Sequence, residues 1–93
     1  MKNKFYTKDF ARSTYKDNGT LAVFMGEEVI TVNLPHEGMA DSRLQFIDTN
    51  NYGYDLVNWL EENKIATFVG YYGFSGYCTY PLMRFNVSKI KQL

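Results

Sequence analysis

The chain has 93 residues, which is the length of one small domain. Ten basic and ten acidic side chains give a net charge of zero, and 17% of the residues are aromatic. No stretch approaches the ~20 consecutive apolar residues of a membrane span, and charges interrupt the N-terminus too early for a signal peptide. These totals exclude a membrane-spanning helix and favour one soluble, cytoplasmic α+β domain at residues 1–93.

The N-terminal third predicts an antiparallel meander. Residues 5–15 mix aromatic and charged side chains, which predicts a strand that ends near Lys16 and directs Phe10 and Tyr15 inward. Residues 17–19 read Asp-Asn-Gly, and Asn-Gly supplies the positive φ angles of a two-residue type I′ hairpin.

Two more strands follow this turn. Residues 20–25 form an apolar run, residues 26–28 a second tight turn, and residues 29–34 alternate between two faces of different polarity. Pro35 ends the meander because it lacks a backbone N–H. Residues 36–45 then predict a polar loop.

Residues 46–64 contain the one convincing helix, predicted at residues 52–63. Asp48 and the three polar residues after it offer side-chain oxygens to the free N–H groups of the first turn. The apolar stripe at i, i+3 and i+4 spacing comprises Tyr54, Leu56, Val57 and Leu60, widened by Trp59.

The C-terminal third predicts a hairpin. Residues 65–70 read as a strand, residues 71–77 as a glycine-punctuated aromatic loop, and residues 78–87 as a last strand, in which Pro81 indicates an edge strand or a bulge. Residues 88–93 predict a helical turn or disorder. The expected fold is therefore α+β: an antiparallel sheet of about five strands (meander plus C-terminal hairpin) with one main helix packed on one face.

Two segments resemble a known family. Residues 46–51 (FIDTNN), followed by WLEEN at residues 59–63, and residues 73–85, which contain CTYPLMRF, are similar to small uncharacterised proteins of conjugative plasmids, integrative elements and phages. The resemblance covers roughly residues 13–86 and implies no enzymatic activity and no catalytic residues. Some small proteins of such elements are anti-CRISPR inhibitors, and this chain resembles them in size and style.

Few residues here carry chemistry. A single Cys78 excludes an intrachain disulfide and favours a reducing compartment; we expect it to be reduced and buried. His36 is expected on the solvated surface, and one Cys with one His does not make a zinc site within one chain. Asp48 lacks the ligand spacing of a calcium loop. We therefore expect no enzyme, no metal and no cofactor.

The charges are segregated along the sequence. Net charge is +4 over residues 1–16, −8 over residues 17–62 and +4 over residues 63–93. Folding that interleaves these blocks is one interpretation. The other is an acidic face that meets a basic partner. The partner-binding residues predicted on that basis are Glu27, Glu28, Glu61, Glu62, Tyr71, Tyr72, Phe74 and Tyr77.

The functional hypothesis combines this surface with the resemblance. It describes a counter-defence protein that inhibits a Cas9-type nuclease by occupying its basic nucleic-acid-binding surface. The alternative is a nucleic-acid-binding accessory protein of conjugation or replication. Aromatic residues 71–77 can stack on bases, but only Arg84 lies nearby in the sequence to meet phosphate. The oligomeric state is left open.

Overall fold

The computed structural model describes residues 10–38 and 41–93. The predicted strand residues 5–9 lie outside this part of the chain. The α+β class is confirmed. The described elements are β1 (Phe10–Thr14), β2 (Leu21–Met25), β3 (Glu28–Val29), β4 (Thr31–Val32), β5 (Leu44–Ile47), α1 (Thr49–Tyr52), α2 (Asp55–Glu62), β6 (Ala66–Ser75), β7 (Cys78–Phe85) and β8 (Lys91–Gln92), with 3-10 turns at Pro35–Glu37 and Val87–Lys89.

The strands in the described part of the chain form two four-stranded sheets rather than one. The first sheet has the order β3-β2-β1-β8 and contains the predicted meander, and the second has the order β4-β5-β7-β6 and contains the predicted C-terminal hairpin. The described part of the chain has eight strands, more than the five or so predicted; β5 was not predicted, because residues 36–45 were expected to form a polar loop. All pairs are antiparallel except β1 with β8.

The chain passes between the sheets at Ile30. Its N–H donates to the carbonyl of Val23 in β2 at 2.9 Å, and its own carbonyl accepts from the N–H of Asp48 at 3.0 Å. One residue thus bonds to both sheets, and its side chain is completely buried between them. The prediction of one continuous strand at residues 29–34 is therefore wrong, because β3 and β4 have different partners.

The first hairpin is confirmed, but its turn is longer than predicted. Tyr15 N–H donates to the Thr20 carbonyl at 2.8 Å, which leaves residues 16–19 as the loop. Gly19 has the expected positive φ of 72°, whereas Asn18 does not. The Asn18 side chain instead accepts a 2.9 Å hydrogen bond from the Thr20 hydroxyl. That local bond is the alternative that Asn side chains offer to a type I′ turn.

The helix predicted at residues 52–63 corresponds to α2, which begins three residues later, and a short α1 that was not predicted as a separate helix precedes it; Gly53, with a φ of 76°, separates the two. Asp48 caps α1 as predicted, because its carboxylate accepts from the N–H of Asn51 at 3.2 Å. The buried face of α2 consists of Leu56, Val57, Trp59 and Leu60. Tyr54 was expected on this face, but it precedes α2 and is 44% exposed.

Among residues 10–38 and 41–93, the buried apolar side chains form two clusters. The larger one lies between the two sheets and α2, and its largest members include Trp59, Leu60, Met83 and Phe85. The smaller one lies on the other face of the second sheet and contains Leu34, Phe46, Tyr80 and Leu82.

Two predictions for the C-terminal part need correction. Pro81 lies in β7, an internal strand rather than an edge strand. Proline is tolerated there because the pairing of β7 with β5 covers only residues 82–84, so no ladder bond to β5 needs an N–H at position 81. A bulge is present, but it lies in β6, between Phe68 and Tyr72. The helical turn predicted in the tail is present as the 3-10 turn at Val87–Lys89, but the tail ends in a strand, because β8 pairs with β1 and Ile90 is buried.

Candidate functional site

The predicted aromatic loop is the end of a strand and a tight turn. Residues 71–75 belong to β6, and Gly76 and Tyr77 alone connect it to β7. Gly76 has a φ of 62° and Tyr77 does not have a positive φ, which is the pattern of a type II′ hairpin. We call residues 71–77 the aromatic hairpin. Its exposed aromatic side chains are Tyr71, Tyr72, Phe74 and Tyr77.

No charged side chain occurs between residues 65 and 83, a stretch that includes the whole aromatic hairpin. β6 is also an edge strand of its sheet. Phe74 is 59% exposed, and Tyr77 at the turn is fully exposed. The hairpin therefore presents uncharged aromatic surface, and any charge beside it comes from other segments of the chain.

Gly73 allows the hairpin to lie against the smaller apolar cluster. A Cβ atom at this position would lie 2.6 Å from the Phe46 ring and 2.9 Å from Leu34 Cδ1. Leu34 follows β4, at the opposite edge of the same sheet, so the sheet curls until its two edges approach each other. Tyr71 packs where the two edges approach each other, with its ring centroid 6.4 Å from that of Phe46.

The turn after β4 closes on the edge of β6. His36 Nε2 donates to the Phe74 carbonyl at 2.8 Å, and the Glu37 carboxylate accepts from the Phe74 N–H at 3.2 Å. Glu37 also accepts from the Tyr71 hydroxyl at 2.7 Å. His36 is exposed as predicted, yet together with Glu37 it satisfies both backbone groups of Phe74. We call these two residues the edge clip.

The Glu37 carboxylate is stabilised in its charged form. Its pKa lies below the ordinary value, chiefly because of the Tyr71 hydroxyl and then because of the Phe74 N–H. The same hydrogen bond raises the pKa of Tyr71. Sequence reasoning missed Glu37, and only its place in the −8 block pointed to it.

A second carboxylate lies on the α2 side of the hairpin. Glu61 accepts from the N–H of Phe68 at 3.0 Å. The Phe68 ring lies 5.2 Å from that of Tyr72, and the hydroxyl of Tyr72 is 3.0 Å from that of Tyr54. This hydrogen bond is the main cause that raises the pKa of Tyr54 to about 12. Tyr54 is thus a further exposed aromatic residue of this surface, which the sequence had assigned to the core.

The other predicted glutamates are less closely connected. Glu28 accepts a 2.6 Å hydrogen bond from the hydroxyl of Tyr52, two residues before Tyr54. Glu27 in the β2–β3 turn and Glu62 at the end of α2 are exposed, and neither is hydrogen-bonded to the hairpin within the described chain. The structure therefore groups the four hairpin aromatics with Glu61 and adds Glu37 and Tyr54.

The remaining predictions concern Cys78, a metal site and a membrane helix. Cys78 is a free thiol that is half-buried, so the expectation of a buried thiol is wrong: the residue begins β7 beside the exposed turn. Within residues 10–38 and 41–93, no three His, Cys, Asp or Glu side chains are grouped to hold a metal ion. No helix in those residues has the length and apolar character to cross a membrane.

The fold and this surface define a small two-sheet α+β domain with an exposed aromatic edge hairpin. Residues 6–93 match a family model described as Domain of unknown function (DUF4313), so the chain belongs to that family. Neither the search of curated proteins nor the search of solved structures returns a match. The family description names no activity, so function has to be inferred from the surface itself.

Proposed function

We propose that the chain is a non-enzymatic binding protein whose aromatic hairpin contacts a basic surface on a partner protein. The observation that supports this most directly is the grouping of Tyr71, Tyr72, Phe74 and Tyr77, all exposed, in one uncharged hairpin. Tyr71 lies against Phe46 on one face of β6, and Tyr72 lies against Phe68 on the other, so the exposed rings surround the hairpin. Exposed apolar surface in a small domain is typical of an interaction site.

The aromatic side chains suit the role of binding anchors. Tyr buries a large area on association while keeping few rotatable bonds, and it is enriched among the residues that dominate binding energy. Glu37 of the edge clip holds the Tyr71 ring in place, and the hydrogen bond between Tyr54 and Tyr72 holds these two rings. Ordered rings lose less conformational entropy when a partner covers them, which favours affinity.

Charge favours a basic partner. The carboxylates of Glu37 and Glu61 accept hydrogen bonds from β6 at Phe74 and Phe68, so they flank the aromatic hairpin. Glu61 is exposed, whereas only 13% of the Glu37 side chain is. An exposed carboxylate such as that of Glu61 raises the rate of association with Arg- and Lys-rich surfaces, and salt weakens this effect. Nucleic acid would instead need cations at the hairpin, and residues 65–83 contain none.

The resemblance to proteins of plasmids, integrative elements and phages supplies the partner class. A Cas9-type nuclease has a guide-RNA channel lined with basic residues, and a protein with an acidic-rimmed aromatic surface would inhibit it by occupying that channel. In this proposal the chain is a cytoplasmic anti-CRISPR inhibitor. The runner-up remains a nucleic-acid-binding accessory protein of conjugation or replication.

Binding to purified Cas9, with and without guide RNA, tests the proposal. We expect wild type to bind the guide-free nuclease and to inhibit its cleavage. A variant with Tyr72→Ala and Phe74→Ala should lose most of this binding, largely through faster dissociation. Glu61→Gln should slow association and reduce its salt dependence.

The matched control changes Val29→Ala and Leu93→Ala, which are exposed apolar residues outside the hairpin. This control should bind like wild type, and circular dichroism should show that every variant is folded. Wild type that binds none of the nucleases tested, but is retained on DNA-cellulose with a steep salt dependence, would favour the runner-up.

A further inference from the structure

We propose a second site, independent of the aromatic hairpin, that binds the phosphate group of a small ligand. It is a cleft of about 320 Å³ on the second sheet, which we call the arginine cleft. Its lining residues are Arg43, Thr67, Arg84, Phe85, Asn86, Val87 and Ser88.

Strand pairing brings the two arginines together from distant parts of the sequence. Arg84 in β7 lies opposite Leu44 in β5, and the N–H of Phe85 donates to the carbonyl of Arg43 at 2.8 Å. On the other side, Arg84 lies opposite Thr67 in β6. The cleft is therefore built on three adjacent strands, a rigid base for a binding site.

Asp41 fixes the orientation of Arg43. Its carboxylate accepts from Arg43 Nε at 3.1 Å and from Nη2 at 2.8 Å. This two-point contact holds the guanidinium plane and uses two of its five N–H donors, so three remain for a ligand. Arg43 thus contributes oriented donors, while Asp41 offsets its charge.

Arg84 supplies the net positive charge. Its side chain is exposed and makes no hydrogen bond or ion pair within the described residues. The segment that forms most of the cleft wall adds cations only, because residues 63–93 include no Asp or Glu. Asp41 also attracts Arg84 electrostatically, so two guanidinium groups and one carboxylate leave one net positive charge at the cleft. Two guanidinium groups that line one cleft can together bind a tetrahedral oxyanion.

The remaining lining suits the same ligand class. Thr67 carries a hydroxyl group, and the Ser88 hydroxyl donates to the side-chain oxygen of Asn86 at 2.7 Å, which leaves the N–H groups of the Asn86 amide for a ligand. Hydroxyl and guanidinium donors together match the several acceptor oxygens of phosphate. The half-buried Val87 gives one apolar wall for the group that carries the phosphate. Free phosphate and a phosphomonoester share this chemistry.

The test is a titration of the intact chain, followed by backbone amide NMR shifts, at constant ionic strength. One arm uses inorganic phosphate, a second uses adenosine monophosphate, and a third uses adenosine. We expect saturable shifts at Thr67 and residues 84–88 with the first two probes and none with adenosine. Tighter binding of the monophosphate than of inorganic phosphate would identify a phosphomonoester as the ligand class.

Substitutions test whether Arg84 contributes to phosphate binding. Arg84→Gln should weaken phosphate binding about tenfold, the loss expected for one charge-assisted contact. Lys91→Gln, an exposed cation on β8, should bind like wild type, and so should the variant with Tyr72→Ala and Phe74→Ala. The proposal is overturned if Arg84→Gln binds phosphate like wild type, or if chloride at equal ionic strength produces the same shifts.

Discussion

The side-chain amide of Gln45 donates a 2.7 Å hydrogen bond to the backbone carbonyl of Leu21, across the interior between the two sheets. Gln45 lies in β5 and Leu21 in β2, and the Gln45 side chain is completely buried. The same amide donates to the Thr20 hydroxyl at 3.1 Å, and its oxygen accepts from the N–H of Phe46 at 3.0 Å. Its polar atoms are thus satisfied although no water reaches them.

Gln45→Leu should therefore destabilise the protein even though leucine is apolar and similar in length. The substitution leaves the Leu21 carbonyl and the Phe46 N–H without their buried partner, which costs roughly 1–3 kcal/mol of unfolding free energy. Denaturant unfolding measures this cost. Ser88→Ala is the control, because the hydrogen bond from its hydroxyl to Asn86 is exposed and its loss should cost less. Gln45→Leu that unfolds at the same denaturant midpoint as wild type would contradict the assigned role.

Leu60→Ala tests the packing of α2. Leu60 is 0% exposed and Trp59 9%, as the helical spacing predicted. Removing a buried leucine side chain leaves a cavity, so we expect a loss of roughly 2–5 kcal/mol. Glu62→Ala on the exposed side of α2 should change stability little. Thermal melting of the two variants provides the comparison, and a melting temperature of Leu60→Ala within a degree or two of wild type would mean that α2 does not pack as described.

Gly73→Ala tests the curl of the second sheet. The added methyl group would lie 2.6 Å from a Phe46 ring carbon, too close to be accommodated without movement of β6 or of that ring. We expect a destabilisation of roughly 1–3 kcal/mol, the usual cost of overpacking. The NMR resonances of Tyr71 and of the edge clip should also shift. Ser75→Ala is the control, since Ser75 is exposed on the same strand; equal effects of both substitutions would remove Gly73 from this role.

The edge clip predicts a specific titration. The folded-state pKa of Glu37 is lowered below its ordinary value of 4.5, mainly by the Tyr71 hydroxyl. The hydrogen bonds to the Glu37 carboxylate therefore stabilise the folded protein above about pH 4.5, and this stabilisation is lost as the pH falls through the lowered pKa. Tyr71→Phe should move the Glu37 pKa back towards 4.5.

Carboxyl NMR titration of Glu37 measures this shift directly. Tyr77→Phe is the matched control, because Tyr77 is fully exposed at the turn and its hydroxyl makes no hydrogen bond in the described chain. Wild type and Tyr71→Phe with the same Glu37 pKa would show that the hydroxyl does not hold the carboxylate in solution.

Local features of this chain could be predicted because their causes lie within a few residues. The Asp48 cap, the positive φ of Gly19 and the buried face of α2 each depend on neighbours in the sequence. Hydrophobic periodicity reports which face of an element is buried. The four hairpin aromatics were recognised as a candidate surface for the same reason: their number, spacing and intervening glycines can be read directly from the sequence.

Features that depend on which strands become neighbours were decided only by the tertiary structure. The chain on the two sides of Ile30 pairs with different sheets, which divides the alternating pattern of residues 29–34. The pairing of β5 places Gln45, expected in a polar loop, in the interior. The edge clip bonds Glu37 and His36 to Phe74, which lies 37 and 38 positions later in the sequence, so no local sequence pattern predicts it. Strand neighbours are selected by long-range contacts and loop closure. For this reason the sequence by itself determined the α+β class, the buried helix face and the aromatic hairpin, whereas the two-sheet division, the partners of Glu37 and the arginine cleft arose only when distant segments packed together.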